Sequence, residues 1–202
     1  MPRNARLATR NPQPDFMKRS ASKKNTQWQD HYTRRAKKER YPARSVYKLQ
    51  EIQQKHQLIK KGDKVIDLGC SPGSWLLYAA KITGKKGRVV GVDIKPVAGR
   101  FPAHTEIMVA DVFELETASL PHDFNVVMSD LAPATTGHKD VDAARSYNLC
   151  EAALDIAQRA LVPGGNFVCK IFQGPDFQKF TEMVRTGFKK QKIFKPRSSR
   201  KA

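Results

Sequence analysis

The run Val65-Ile66-Asp67-Leu68-Gly69-Cys70-Ser71-Pro72-Gly73-Ser74-Trp75 constrains the fold more than any other part of the chain. A short, mostly apolar stretch over Val65–Leu68 suits a strand buried on both faces. A Gly/Ser/Pro turn follows, and the pattern from Trp75 to Ile82 is helical. Strand, tight turn and helix in that order open a βαβ unit, whose strands are parallel. Glycine at 69 and 73 lets backbone approach a ligand with no Cβ in the way. The motif of an apolar strand closed by an acid then recurs at Arg88–Asp93, at Thr105–Val109 with Asp111 close behind, and at Phe124–Met128 before Ser129-Asp130. A helix is expected over Asp142–Leu161, where Leu149, Ala153, Ile156 and Ala160 form one stripe. Val162–Gly165 reads as a turn, Asn166–Ile171 as a fifth strand, Phe177–Thr186 as a helix and Phe188–Phe194 as a sixth strand. The expected fold is α/β and Rossmann-like: a mostly parallel sheet with helices on both faces.

Upstream, residues 1–24 are basic, contain Pro2, Pro12 and Pro14, and show no periodicity. They read as a flexible arm before a single domain over 25–202. A helical pattern carrying Trp28, His31 and Tyr32 is broken at Tyr41-Pro42. A second begins with Ser45 as a candidate N-cap and runs through Val46, Tyr47, Leu49 and Ile52, with Arg44 and Lys48 one turn apart. The 202 residues include 37 Lys+Arg against 19 Asp+Glu, a formal charge of +18. Residues 1–48 hold 14 basic and 3 acidic side chains, and residues 185–202 hold 8 basic and none acidic. The excess therefore sits at two ends of a near-neutral body, a distribution that favours a polyanionic partner.

Several classes are excluded. Cys70, Cys150 and Cys169 form neither a CxxC nor a Cys/His cluster, so no metal site and no disulfide framework is expected. No apolar run reaches a membrane span, and the basic start lacks the apolar core of a secretion signal, which points to the cytoplasm. Gly84-Lys85-Lys86 is not a phosphate loop, and Gly69-x-x-x-Gly73 is not the dinucleotide fingerprint.

What remains is the chemistry of the strand ends. Asp67, Asp93 and Asp111 should lie side by side. A carboxylate after the second strand suits a ribose diol, one after the third can accept from an exocyclic amine, and one at the first suits a nearby cation. Together they describe a site for an adenosine-like cofactor. Lys170 falls inside the apolar run Phe167–Phe172 and needs a partner, since lysine is almost never buried unpaired. Asp130, on the neighbouring strand, is that partner, and Lys48 completes the group. Such a cluster either forms a structural ion pair or deprotonates and positions a sugar hydroxyl.

These residues resemble one family, the FtsJ/RrmJ-like ribose 2'-O-methyltransferases of RNA. The resemblance rests on Asp67–Trp75, on Arg44-Ser45-x-Tyr47-Lys48-Leu49-x-Glu51-Ile52, on Met128–Pro133, on Val168–Gly174 and on Lys195-Pro196-x-Ser198-Ser199-Arg200, in one collinear order. It implies S-adenosyl-L-methionine as cofactor, held by Asp67, Gly69, Ser71, Gly73, Trp75, Asp93, Asp111 and Asp130. It implies Lys48, Asp130 and Lys170 as catalytic residues, with Lys170 the general base or nearest the target hydroxyl. It implies a uridine ribose in ribosomal RNA of the large subunit as substrate and a monomeric enzyme that uses no metal. Arg34, Arg35, Lys37, Lys38, Arg40 and Arg44 are expected to bracket the RNA backbone, with Lys189–Arg200 as a second patch; Trp28 and Tyr32 either stack on a base or anchor the first helix. The family's fourth catalytic residue, a glutamate, and its last antiparallel strand lie beyond Ala202, so the sheet is expected to lack that strand. A second class remains, a weakly catalytic or inactive RNA-binding protein of ribosome assembly with the same fold.

Overall fold

A computed structural model describes the backbone of residues 23–115 and 123–199, and side chains from residue 31 onward. The expected arm at 1–24 thus falls almost wholly outside the described residues, as does the side chain of Trp28. The elements run α1 (Lys23–Lys38), α2 (Val46–His56), β1 (Lys64–Leu68), α3 (Ser74–Thr83), β2 (Arg88–Asp93), β3 (Thr105–Val109), β4 (Phe124–Ser129), α4 (Lys139–Ala160), β5 (Leu161–Cys169) and α5 (Phe177–Gly187). The sheet has the order β3-β2-β1-β4-β5, and every pairing is parallel. The strand order reverses at β1, between β2 and β4. In an open α/β sheet that reversal leaves a crevice at the carboxyl ends of the strands.

Both faces are covered, as the continuous apolar runs demand. Val65, Val89, Val126 and Met128 pack against Trp75, Leu76, Ala79 and Ala80 of α3 and Leu49 of α2. Ile66, Leu68, Val90, Val92 and Val127 pack against Ala153, Ile156, Ala157 and Ala160 of α4. Leu76 has no exposed surface; its truncation to Ala should cost ~2–4 kcal/mol, since α3 cannot close fully on the gap. Helix α2 reverses out of its last turn with Gln57 in the left-handed region at φ 49°, where its N–H donates to Gln53 O at 2.8 Å.

Three local expectations differ from the structure. Phe188–Phe194 is not a strand. Phe188 stacks on Phe167 of β5 at 5.8 Å between ring centroids, but Lys189, Lys190 and Lys192 follow and Ile193 is exposed, so the segment has no apolar face to bury against a neighbour. Val162–Gly165 is not a free turn but a bulge inside β5. Phe124 pairs with Leu161 and Val126 with Asn166, so the extra residues loop out between them around Gly164 at φ 82°. Lys170 stands one residue beyond β5, with its N–H still donating to Ser129 O at 2.9 Å.

Candidate active site

The turn leaving β1 is tied to the end of β2. Gly69 N–H and Cys70 N–H donate to Val92 O at 2.8 and 3.2 Å, and Ser71 N–H donates to Asp93 Oδ2 at 2.9 Å. Gly69 and Gly73 have φ of 78° and 102°, conformations that side chains rarely adopt. Each is also closely packed on the side where a Cβ would stand. A Cβ at Gly69 would stand 2.8 Å from Leu131, and one at Gly73 would stand 2.7 Å from the Phe101 ring. The two glycines thus answer both to the backbone conformation and to the neighbouring side chains packed onto the turn.

Around this turn the acids differ sharply. Asp67 lies within β1, between Gly91 and Met128, with no exposed surface and no hydrogen-bond partner on either carboxylate oxygen. Burial first, and then the charges of Asp130 and Asp93, push its pKa well above the usual carboxylate range. A buried carboxylate without a partner is costly unless a cation meets it. Asp93 accepts the N–H groups of Ser71 and Lys95, both at 2.9 Å, and Asp111 accepts that of Phe113 at 3.0 Å. Each of these carboxylates keeps lone pairs for further donors. Ile94 and Phe113, next in the chain or nearly so, are more than half exposed despite being apolar. An unpaired buried acid beside two partly engaged ones fits a cationic, hydroxyl-rich cofactor.

Across β1 the pairing is complete. Lys170 Nζ stands 3.0 Å from Asp130 Oδ1 and donates to Asp130 O at 2.8 Å, while Lys48 Nζ stands 3.4 Å from the same Oδ1. The three side chains are only 16–24 % exposed. Asp130 and Lys170 follow the adjacent strands β4 and β5, and Lys48 comes from the first turn of α2. Burial foremost pushes the Lys48 ammonium below the usual lysine range; Asp130 opposes that shift and Lys170 adds to it.

The model of the FtsJ-like methyltransferase family matches residues 41–202. The chain belongs to that family. Among curated relatives, it is 56 % identical over 187 residues to the ribosomal RNA large subunit methyltransferase E of Desulforapulum autotrophicum, covering 91 % of this chain and 92 % of that one. It is 53 % identical over 175 residues to the protein of the same description from Desulfosudis oleivorans, covering 85 % and 84 %. A solved structure of a ribosomal RNA methyltransferase from Plasmodium falciparum matches in fold, with a TM-score of 0.66 at 20 % identity over 72 % of this chain and 86 % of that one.

In this FtsJ-like chain, helix α2 is held to the turn from its amino end. Ala43 N–H donates to the buried Ser74 Oγ at 2.7 Å, and the Trp75 indole N–H donates to Ser45 O at 2.8 Å. Trp75, expected to line the cofactor turn, is 4 % exposed and joins α3 to α2. Ser45 sits at the N-cap but makes no side-chain capping bond. Arg34, Lys37, Lys38 and Arg40 are exposed at the end of α1. The other two expected RNA contacts are already engaged. Arg35 pairs with Glu39 at 2.6 Å and lies 4.6 Å over the Tyr47 ring, and Arg44 donates to Ser198 O at 2.7 Å with its guanidinium 5.6 Å from the Tyr32 ring. Tyr32 itself packs with the buried Ala36, Val46 and Tyr47, which anchors α1 on α2. Sequence reasoning placed Glu51, Leu131 and Ser198 in motifs without a role and missed Phe101; their contacts emerge only in the fold. For Glu51 a signal existed, since Arg44, Lys48, Glu51 and Lys55 fall on one helical stripe.

Proposed function

We propose that this chain transfers a methyl group from S-adenosyl-L-methionine to the 2'-hydroxyl of a ribose, that of a uridine in large-subunit ribosomal RNA. The observation that carries this reading is the convergence of Lys48 and Lys170 on one Asp130 oxygen beside a turn lined by Asp67, Asp93 and Asp111. The cofactor supplies, when bound, an electrophilic methyl group on a positively charged sulfur. Asp67 and Asp130 contribute negative charge for its cationic part, Asp93 accepts from its ribose, and Asp111 accepts from its base amine, with Ile94 and Phe113 beside the base. The backbone of Gly69, Ser71 and Gly73 shapes the floor.

The acceptor side follows from the lysines. A ribose hydroxyl is a poor nucleophile until its proton is taken. Lys48 and Lys170 share that work with Asp130. One amine of the pair accepts the hydroxyl proton, the other stays cationic and steadies the oxygen, and Asp130 keeps both in place. A base-directed methyltransferase of the amino type would carry Pro-Pro-Tyr after the strand-four acid; here Leu131-Ala132-Pro133 follows. Both relatives' names support the RNA class, and Arg34, Lys37, Lys38 and Arg40 supply phosphate contacts. The protein acts as a monomer in the cytoplasm in this reading. Incubation with tritiated cofactor and large ribosomal subunits lacking the modification should place the label on one ribose 2'-oxygen. Label on a base, or RNA binding with no transfer, would sink the proposal.

A further inference from the structure

We propose that Arg44 and Glu51 clasp the segment Phe194–Ser199 across α2 and thereby position Lys48 against Asp130, which makes both of them positioning residues of the methyl-transfer site. This rests on the reading of Lys48 given above. The stripe Arg44, Lys48, Glu51, Lys55 runs along one face of α2, and the segment grips it on both sides of Lys48. On one side Arg44 donates to Ser198 O at 2.7 Å. On the other, Arg197 N–H donates to Glu51 Oε2 at 2.7 Å and Ser198 N–H to Glu51 Oε1 at 2.9 Å, so one carboxylate takes two successive backbone donors. One turn further on, the Lys55 ammonium lies 4.5 Å over the Phe194 ring, and His56 meets that ring edge-on at 5.8 Å. The segment is neither helix nor strand, yet Ser198 is 1 % exposed.

Lys48 is the one residue of the stripe whose charge turns away to the active site. Its surroundings are Asp130 after β4, Lys170 after β5 and Arg44 before α2. Its contact with Asp130 is the longer of the two, 3.4 against 3.0 Å. Its placement therefore depends on how α2 is held. The amino end of α2 is fixed through Ser74 and Trp75. The clasp fixes the flank those bonds do not reach. Small displacements at such a site are expensive, since rates depend on near-attack geometry.

The test uses the full chain with Glu51→Gln, Arg44→Gln, Lys48→Ala and the Lys48→Ala/Glu51→Gln double variant, assayed by methyl transfer to large ribosomal subunits. Glu51→Gln should lower kcat about tenfold at nearly constant KM for the cofactor, and in the Lys48→Ala background it should change the residual rate by less than about twofold, because both act on one group. Equal losses in both backgrounds, or no loss, overturn the proposal. Arg44→Gln loosens the other tie, so loss of fold in one variant leaves the other informative. It should lower kcat, whereas a raised KM for RNA at unchanged kcat would make Arg44 an RNA contact instead. Acetylation of Lys48 followed against pH by mass spectrometry reads the same device without turnover. Its midpoint should rise toward that of an ordinary lysine in Glu51→Gln as α2 loosens; an unmoved midpoint overturns the clasp. If the unmodified chain transfers no methyl group, the function fails, while the Lys48 midpoint still decides whether the clasp exists.

Discussion

The two flanks of β1 solve opposite problems. On the β2–β3 side, Asp93 and Asp111 are half-buried and partly engaged, and Asp67 of β1 itself is fully buried with no hydrogen-bond partner. On the β4–β5 side, the carboxylate of Asp130 is half-buried and meets two ammonium groups. The first flank is unfinished without a positively charged ligand, and the second is complete before any substrate arrives. That contrast separates binding from chemistry. On the proposed reading, affinity for a cationic cofactor is stored as an unmet electrostatic demand, while the lysine–aspartate cluster is set beforehand by strand adjacency and by α2.

Substitutions on each flank should therefore fail differently. Lys170→Ala removes both contacts to Asp130 and should lower the single-turnover rate by about 10³-fold while calorimetric cofactor affinity stays within about threefold; equal losses in both would erase the distinction. Asp93→Ala acts on the other flank and should weaken cofactor binding by roughly 10- to 50-fold, as expected for a charged hydrogen-bonding group lost from a site, with far less effect on the rate at saturation. Replacing Arg34, Lys37, Lys38 and Arg40 together by Gln touches neither flank. RNA affinity should fall about tenfold at moderate salt, and the slope of log K against log salt should flatten by up to roughly one unit per lost phosphate contact.

The smallest effect is the most diagnostic. Asp67 has its pKa raised on folding, so between the unfolded and folded values the native state holds a proton that the unfolded state lacks, and stability falls as pH rises. Asp67→Asn has no such dependence. It should match the wild type below about pH 4 and gain ~1–2 kcal/mol near neutrality, read from urea unfolding at several pH values. Saturating cofactor should raise the melting temperature of the wild type more than that of the variant. A variant less stable at neutral pH would mean that Asp67 is not under strain.

Much of this was legible in the sequence because strand adjacency is cheap to infer. β2 and β3 have the expected bounds Arg88–Asp93 and Thr105–Val109, and Lys170 pairs with Asp130 because a lysine in an apolar run next to an acid-ended strand has no other recourse. What escaped depends on contacts between distant parts of the chain. Glu51 binds N–H groups 146 and 147 residues away; the helical stripe it shares with Lys48 marks the side chain but not those partners. Helix α4 starts at Lys139 and not at Asp142, because Asp142 turns back to collect Thr136 N–H and Oγ1–H and Gly137 N–H and so carries the polar loop into the helix. The resemblance implies Trp75 at the cofactor turn, and the bond from its indole N–H to Ser45 O is a contact across 30 residues that the motif does not announce. Phe188–Phe194 suggested a strand from its terminal apolar residues alone, and the lysines between them leave no face for a sheet.

The bond from the Trp75 indole to Ser45 gives the molecule a built-in optical gauge. An indole held in a dry pocket with its N–H bonded to a carbonyl emits at shorter wavelength than one in water. Trp75 reports on a single junction, the seat of α2 on α3. The chain has one other tryptophan, Trp28, so a Trp28→Phe background would isolate the signal. Emission from that one residue would follow, in real time, the moment at which the helix bearing Lys48 lifts off or settles.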